Sequence, residues 1–386
     1  MTKKIQVMMT LIRDELQEIT PDAKQFLALS DQEQQDIAAL AGEHSVAQLL
    51  GDALGNAPEA AELEVTKKLV RNTMSAFTHI RMIERERNRI CRVLNEVQIP
   101  YIGLKGIRVR PYYPKPWMRT SCDNDILVRE EDVDRAAELL IRALDYRQEG
   151  RKGFHDISLF SKSGIHLELH FNIRGRSDAM NRVLDRVWED ASPVPGTSEY
   201  VQSQEFFLFH IVAHMANHML CGGCGIRPLI DLFLLREKMD YDEEKLLRLC
   251  DEAGIRASYQ NAVALSQVWF AGKPHTPVTG HLEQYIFRGG CYGTQEGEIA
   301  VTQNRTGKKF DYVASRVFLP YENMCTIYPV LKKRRWLLPV YQLRRWGRAL
   351  KAGKLQFVRQ SINAAQNVDE GYSLDVRQML EENELL

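Results

Sequence analysis

Asp123 and Asp125 stand one residue apart in the run Asp-Asn-Asp-Ile-Leu-Val at 123–128. A β-strand turns successive side chains to opposite faces, so both carboxylates point one way and Asn124, Ile126 and Val128 the other. Two like charges this close repel each other and require a cation. Mg²⁺ (or Mn²⁺), which binds carboxylate and phosphate oxygens together, is the expected one. A third carboxylate follows in Ile165-His166-Leu167-Glu168-Leu169-His170, where alternation sets His166, Glu168 and His170 on one face and the three apolar residues on the other. If that strand lies beside the first, Glu168 completes a three-carboxylate cage for two metal ions. Such a pair activates an attacking hydroxyl and stabilises a departing pyrophosphate.

Lys105 and Gly106 follow the apolar run Tyr101–Leu104. A strand, a glycine turn and a helix start in that order can receive phosphate on backbone N–H groups, and Lys105 adds a point charge for a triphosphate. His210, His214 and His218 recur every fourth residue of a helical segment, with Cys221 and Cys224 just beyond. A zinc site can be imagined there, but the spacing departs from standard zinc modules, and Gly222-Gly223 reads as a helix-ending turn. The helix is expected to pack beside the catalytic unit, with His210 and His214 toward a substrate cleft. Arg227 and Asp231, four apart in a helix, read as an intrahelical ion pair or as cleft residues. Leu331 to Lys354 contains no acidic residue and interleaves Trp336, Tyr341 and Trp346 with Lys332, Lys333, Arg334, Arg335, Arg344, Arg345 and Arg348. That mix suits a polyanion (RNA, a charged polymer or a membrane surface) or a solvated basic face.

The elements that must position these groups are readable from periodicity. Residues 1–98 read as helical, with a loop over Gly51–Ala60 and a long helix from about Glu62 to Val97, closed by Ile99-Pro100. Residues 99–195 form a compact mixed α/β unit. Its strands are Tyr101–Leu104, Asp123–Val128, Asp156–Phe160 and Ile165–Phe171, the last two joined by a hairpin turn at Ser161–Gly164, with a helix at Glu131–Leu144. Helix returns over residues 196–305, and residues 306–386 form a basic C-terminal region.

The order strand, glycine turn, helix, Asp-x-Asp strand and later acidic strand resembles the DNA polymerase β nucleotidyltransferase superfamily. More narrowly, Ile102–Gly106 (IGLKG), Arg119 with Asp123–Val128, His166–His170 (HLELH) and Arg227–Leu232 (RPLIDL) resemble a bacterial family of uncharacterised nucleotidyltransferases. The resemblance implies an α/β (α+β) core with a mixed sheet, flanked by helical regions. It implies that Asp123, Asp125 and Glu168 are catalytic and bind the metals, and that Gly103, Lys105, Gly106, Arg119 and His170 border the nucleotide. His166, His210, His214, Arg227 and Asp231 are then candidates for the substrate cleft. The implied reaction moves an NMP from an NTP to a hydroxyl on a small molecule, sugar, protein or RNA. Two positions depart from the superfamily pattern: the turn is Lys-Gly rather than Gly-Ser or Gly-Gly, and Asn124 replaces an apolar residue. The alternatives are a non-catalytic nucleotide-binding relative and an RNA-modifying toxin or defence nucleotidyltransferase.

Composition is compatible with all of this. The 386 residues carry 51 Lys+Arg against 51 Asp+Glu, so the whole chain is not a polyanion binder by net charge. Seven scattered cysteines suggest free thiols in a reducing compartment. The N-terminal apolar stretch is short, is interrupted by Gln6 and lacks a small-residue cleavage site, so it reads as an amphipathic helix. With no apolar run of spanning length, the expected location is cytoplasmic.

Overall fold

The computed structural model describes residues 3–308, 311–319, 321–351 and 362–386. Five helices come first: α1 (Lys3–Leu16), α2 (Lys24–Leu27), α3 (Asp31–Glu43), α4 (Ala47–Gly55) and α5 (Glu64–Glu96). α1 is amphipathic and buries Val7, Met8, Leu11 and Ile12. α3 is opened by a reciprocal Ser30/Glu33 capping box. The loop expected over Gly51–Ala60 is only half there, because Gly51–Gly55 is the second half of α4. Gly51 is a packing glycine, not a turn: a Cβ on it would lie 2.7 Å from the Leu69 carbonyl oxygen of α5.

Seven strands make one mixed sheet in the order β3-β4-β5-β2-β1-β7-β6. They are β1 (Tyr101–Gly103), β2 (Asp123–Val128), β3 (Arg147–Gln148), β4 (Asp156–Phe160), β5 (His166–His170), β6 (Ser192–Pro193) and β7 (Glu199–Val201). β2 runs antiparallel to β1 and parallel to β5, while β4 and β5 form the expected hairpin. The edge strands β3 and β6, and β7 beside β6, carry two or three residues each and give no readable alternation. The helices α6 (Gly106–Val109), α7 (Val133–Leu144), α8 (Asp178–Leu184) and α9 (Val187–Asp190) interrupt the sheet. One face of the sheet buries Ile126, Val128, Ile157, Leu159, Leu167 and Leu169 against α5 and α7. The odd-numbered residues of β2 are thereby turned to the opposite face.

That second face meets a larger helical core, which reaches the sheet at Ile102 and Leu127. It is built by α1–α5 and by α10 (Gln204–Met219), α11 (Arg227–Lys238), α12 (Glu243–Glu252), α13 (Arg256–Ala271), α14 (Pro277–Gly289) and α15 (Gln295–Thr306). α16 (Asp311–Val317), α17 (Tyr321–Ile327), α18 (Val330–Lys333), α19 (Leu338–Lys351) and α20 (Glu370–Glu382) follow. α20 returns its Tyr372, Val376, Met379 and Leu380 to the large core. Residues 352–354 of the basic segment lie outside the described residues. No helix among the described residues is long and apolar enough to cross a membrane. None of the seven cysteines forms a disulfide.

Candidate active site

The register of β2 against β5 assembles the site. Asp123 lies opposite His166 and Asp125 opposite Glu168 in the parallel pairing, so alternation on each strand delivers its polar side chains to one face. Ligand atoms of Asp123, His166 and Glu168, and separately of Asp125, Glu168 and His170, lie within 4.8 Å of one another. Glu168 belongs to both groups. His210, His214 and His218 with Cys221 and Cys224 form no such group among the described residues. Instead His218 Nε2 and His214 Nε2 are 3.0 Å apart in a hydrogen bond.

The three carboxylates are not electrostatically equivalent. Asp125 is almost fully buried, which by itself would raise its pKa. Lys105 Nζ at 3.3 Å and His170 Nε2 at 2.9 Å, both on Oδ1, hold it well below the usual range instead. Glu168 is also lowered, first by its hydrogen bond from His170 at 3.3 Å. His170 is raised in turn: burial opposes its charge, but the two carboxylates outweigh burial. For Asp123 the support of Lys105 and His166 is outweighed. Burial first, then repulsion from Asp125 and Glu168, raise its pKa. Asp123 is thus the carboxylate whose charge is least compensated, and with His166 and Glu168 beside it the donor set fits a divalent metal ion.

The imidazoles are braced. His166 Nε2 hydrogen-bonds Ser158 Oγ at 2.7 Å and its ring stacks on Phe160. His155 stacks on His170 with centroids 5.6 Å apart. Lys105 adopts φ +35°, an unfavourable conformation for a residue with a Cβ, and this turn carries its ammonium back over β2. Asn124, on the opposite face, donates to the Ile83 carbonyl of α5 at 3.2 Å. The polar residue at that position therefore ties β2 to the long helix.

A cavity of about 370 Å³ opens above the carboxylates. Lys105, Arg119, His170, His210, His214, Arg227 and Asp231 line it with the three carboxylates; His166, Gly103 and Gly106 do not, although His166 clusters with Asp123 and Glu168. The intrahelical Arg227–Asp231 pair is not what forms. Asp231 takes a bidentate ion pair from Arg119, at 3.1 Å to Nε and 2.8 Å to Nη2, and a 2.6 Å hydrogen bond from Tyr113. Arg227 donates to the Thr120 carbonyl at 3.0 Å. Both contacts fix the segment that leads into β2. Gly106 is needed where Arg119 passes, since a Cβ there would lie 2.9 Å from Nη1.

Cys122, His155, Asn172, Arg174, Asn217 and Tyr292 also line the cavity and were not foreseen. Asn172 and Arg174 continue the even-numbered face of β5 past His170, a signal the alternation already contained. Tyr292 sits in a Gly-Gly-Cys-Tyr-Gly turn that packs against the Cys221–Gly225 turn, with Gly223 and Gly289 too close to admit a side chain on either. Nothing periodic announces it.

A family model described as "Uncharacterised nucleotidyltransferase" matches residues 30–271. The mixed sheet with helical flanks is the architecture of the polymerase β-like nucleotidyltransferases. Comparison with curated proteins and with solved structures finds no significant match.

Proposed function

Since the chain belongs to the family of uncharacterised nucleotidyltransferases, we propose that it moves a nucleoside monophosphate from an NTP to a hydroxyl acceptor. The acceptor oxygen bonds to the α-phosphorus, the bond from that phosphorus to the bridging oxygen breaks, and pyrophosphate leaves. The observation that carries this reading is the pair of Asp/Glu/His groups that share Glu168, one with Asp123 and one with Asp125, in the lining of the cavity. Asp123, Asp125 and Glu168 would hold Mg²⁺ or Mn²⁺, which when bound lowers the charge barrier to attack and to departure of pyrophosphate.

The chain's own residues do the rest. Lys105, 3.3 Å from Asp125 Oδ1 at the cavity, would offer its ammonium to the triphosphate. His170 keeps Asp125 and Glu168 aligned. Glu168, partly exposed to the cavity, would serve as the third ligand or as the base that takes the acceptor proton. Arg119 is committed to Asp231 and acts by holding the entry to β2. Tyr292, 71% exposed at the cavity wall, presents a ring on which a base can stack.

A second reading, nucleotide binding without turnover, is favoured by one observation: Lys105 already neutralises Asp125. Pyrophosphate release from each NTP, with divalent metal and total cell extract as acceptor source, separates the two. The catalytic reading expects release that disappears in Asp125→Asn. Calorimetric NTP binding without release on any acceptor supports the second reading.

A further inference from the structure

α19 and the turn before it carry two apolar faces, and among the described residues one of them packs on the fold. Leu337, Leu338 and Tyr341 pack on Met324, Cys325, Tyr328 and Leu331. Gln342 Nε2 donates to the Leu319 carbonyl and Trp346 Nε1 to the Val317 carbonyl, both at 2.7 Å. These contacts fix the helix by that side. On the other side Trp336, Val340 and Leu343 are 74%, 56% and 63% exposed. Their spacing, i, i+4 and i+7, puts them in one stripe that begins just ahead of the helix and runs along it. Pro339 lies in the first turn, where it starts the helix without breaking it.

The stripe is bordered by charge of one sign. Lys332, Lys333, Arg334 and Arg335 precede it, and Arg344 and Arg348 lie along it, all exposed. None of these six is paired with a carboxylate among the described residues. The segment from Leu331 to Lys351 contains no Asp or Glu at all, although the chain as a whole carries as many acidic as basic residues.

We propose that this face of α19 docks on an anionic lipid bilayer, lying in the interface with Trp336, Val340 and Leu343 inserted and the basic residues on the headgroups. A basic border fits both a nucleic acid and an anionic membrane. The stripe decides between them. RNA rewards aromatic faces and cations, whereas Val340 and Leu343 have no π face to stack on a base and gain only from a hydrocarbon environment. None of these residues lines the catalytic cavity, so the proposal stands independently of the reaction.

The test is flotation of the full chain with vesicles of phosphatidylcholine alone and with phosphatidylglycerol added, in parallel with a gel-shift on single- and double-stranded RNA. Wild type is expected to float with the anionic vesicles and to bind them at least about ten-fold better than neutral ones. Trp336→Ser/Leu343→Ser, at exposed positions, should lose about ten-fold or more while keeping its circular dichroism, and Trp336 emission should shift to the blue on anionic vesicles in the wild type. Three results overturn the proposal: no flotation with either vesicle, flotation unchanged in the double variant, or RNA binding weakened by the double variant while vesicles are ignored.

Discussion

Asp123 and Asp125 are one residue apart and chemically opposite. Asp125 has Lys105 and His170 on a single oxygen, whereas for Asp123 burial and the repulsion of Asp125 and Glu168 outweigh the pull of Lys105 and His166. A site complementary to a cation stores repulsion when the cation is missing. Asp123→Asn should therefore raise the urea midpoint in the absence of divalent metal while lowering transfer by about 100-fold or more, because a metal ligand supplies several kcal/mol of charge stabilisation. Excess Mn²⁺ should stabilise the wild type more than the variant. Equal stabilisation of both would show that Asp123 is not a ligand. This much of the site is legible in the sequence, because alternation with period two is a strict geometric rule and fixes which side chains share a face. The partner of Asp231 is not legible. Arg227 is four residues away in sequence, but Arg119, more than a hundred residues away, arrives through tertiary packing and takes the carboxylate.

At the scale of elements, the site depends on how the loop before β2 is fastened. Arg119 and Tyr113 from that loop converge on Asp231 of α11, all three buried, so the ion pair joins sheet and helical core. Asp231→Ala leaves the guanidinium buried without a partner and should cost about 3–5 kcal/mol in denaturant unfolding. A loss below about 1 kcal/mol would mean that the pair behaves as a solvated one. α4 and α5 give the second test. Glycine, asparagine and proline over Gly51–Ala60 read as a loop, yet the glycine at 51 is there for the close approach of two helices. Local propensity and packing make opposite forecasts. A helix position prefers Ala to Gly by about 1 kcal/mol. With the Leu69 carbonyl oxygen 2.7 Å from the new Cβ, Gly51→Ala is instead expected to destabilise by about 1–3 kcal/mol. A stabilised variant would contradict this packing. Composition alone cannot separate these roles, since both call for glycine. The short strands β3, β6 and β7 escape for another reason: two or three residues are too few to show a period.

For the whole molecule, the large core spans helices from both ends of the chain and encloses histidines that stay neutral. Burial pushes His44 and His218 down to about 4 and His210 to about 3. An unfolded histidine titrates near 6.5, so below that pH the unfolded chain takes up protons that the folded chain refuses. The contribution is intact above about pH 6.5 and is lost as pH falls toward the folded values, by up to about 1.4 kcal/mol per pH unit for each group. His44→Leu should flatten the pH dependence of the urea midpoint between about pH 6 and 4.5 by one such increment. An unchanged slope would mean that His44 is not kept neutral by burial. The same enclosure places His210 and His214 over the carboxylates, giving the cavity a neutral, hydrogen-bonding wall opposite its charged floor.

The central claim is transfer of a nucleotidyl group, and the position of a label in the NTP tests it directly. The protein is incubated with Mg²⁺, cell extract and each NTP, radiolabelled at either the α- or the γ-phosphate, beside an Asp123→Ala/Asp125→Ala control. The account predicts that α-label enters an acceptor, that γ-label leaves as pyrophosphate, and that both are lost in the control. Label entering an acceptor from the γ-position, or α-label transferred undiminished by the double variant, would contradict it.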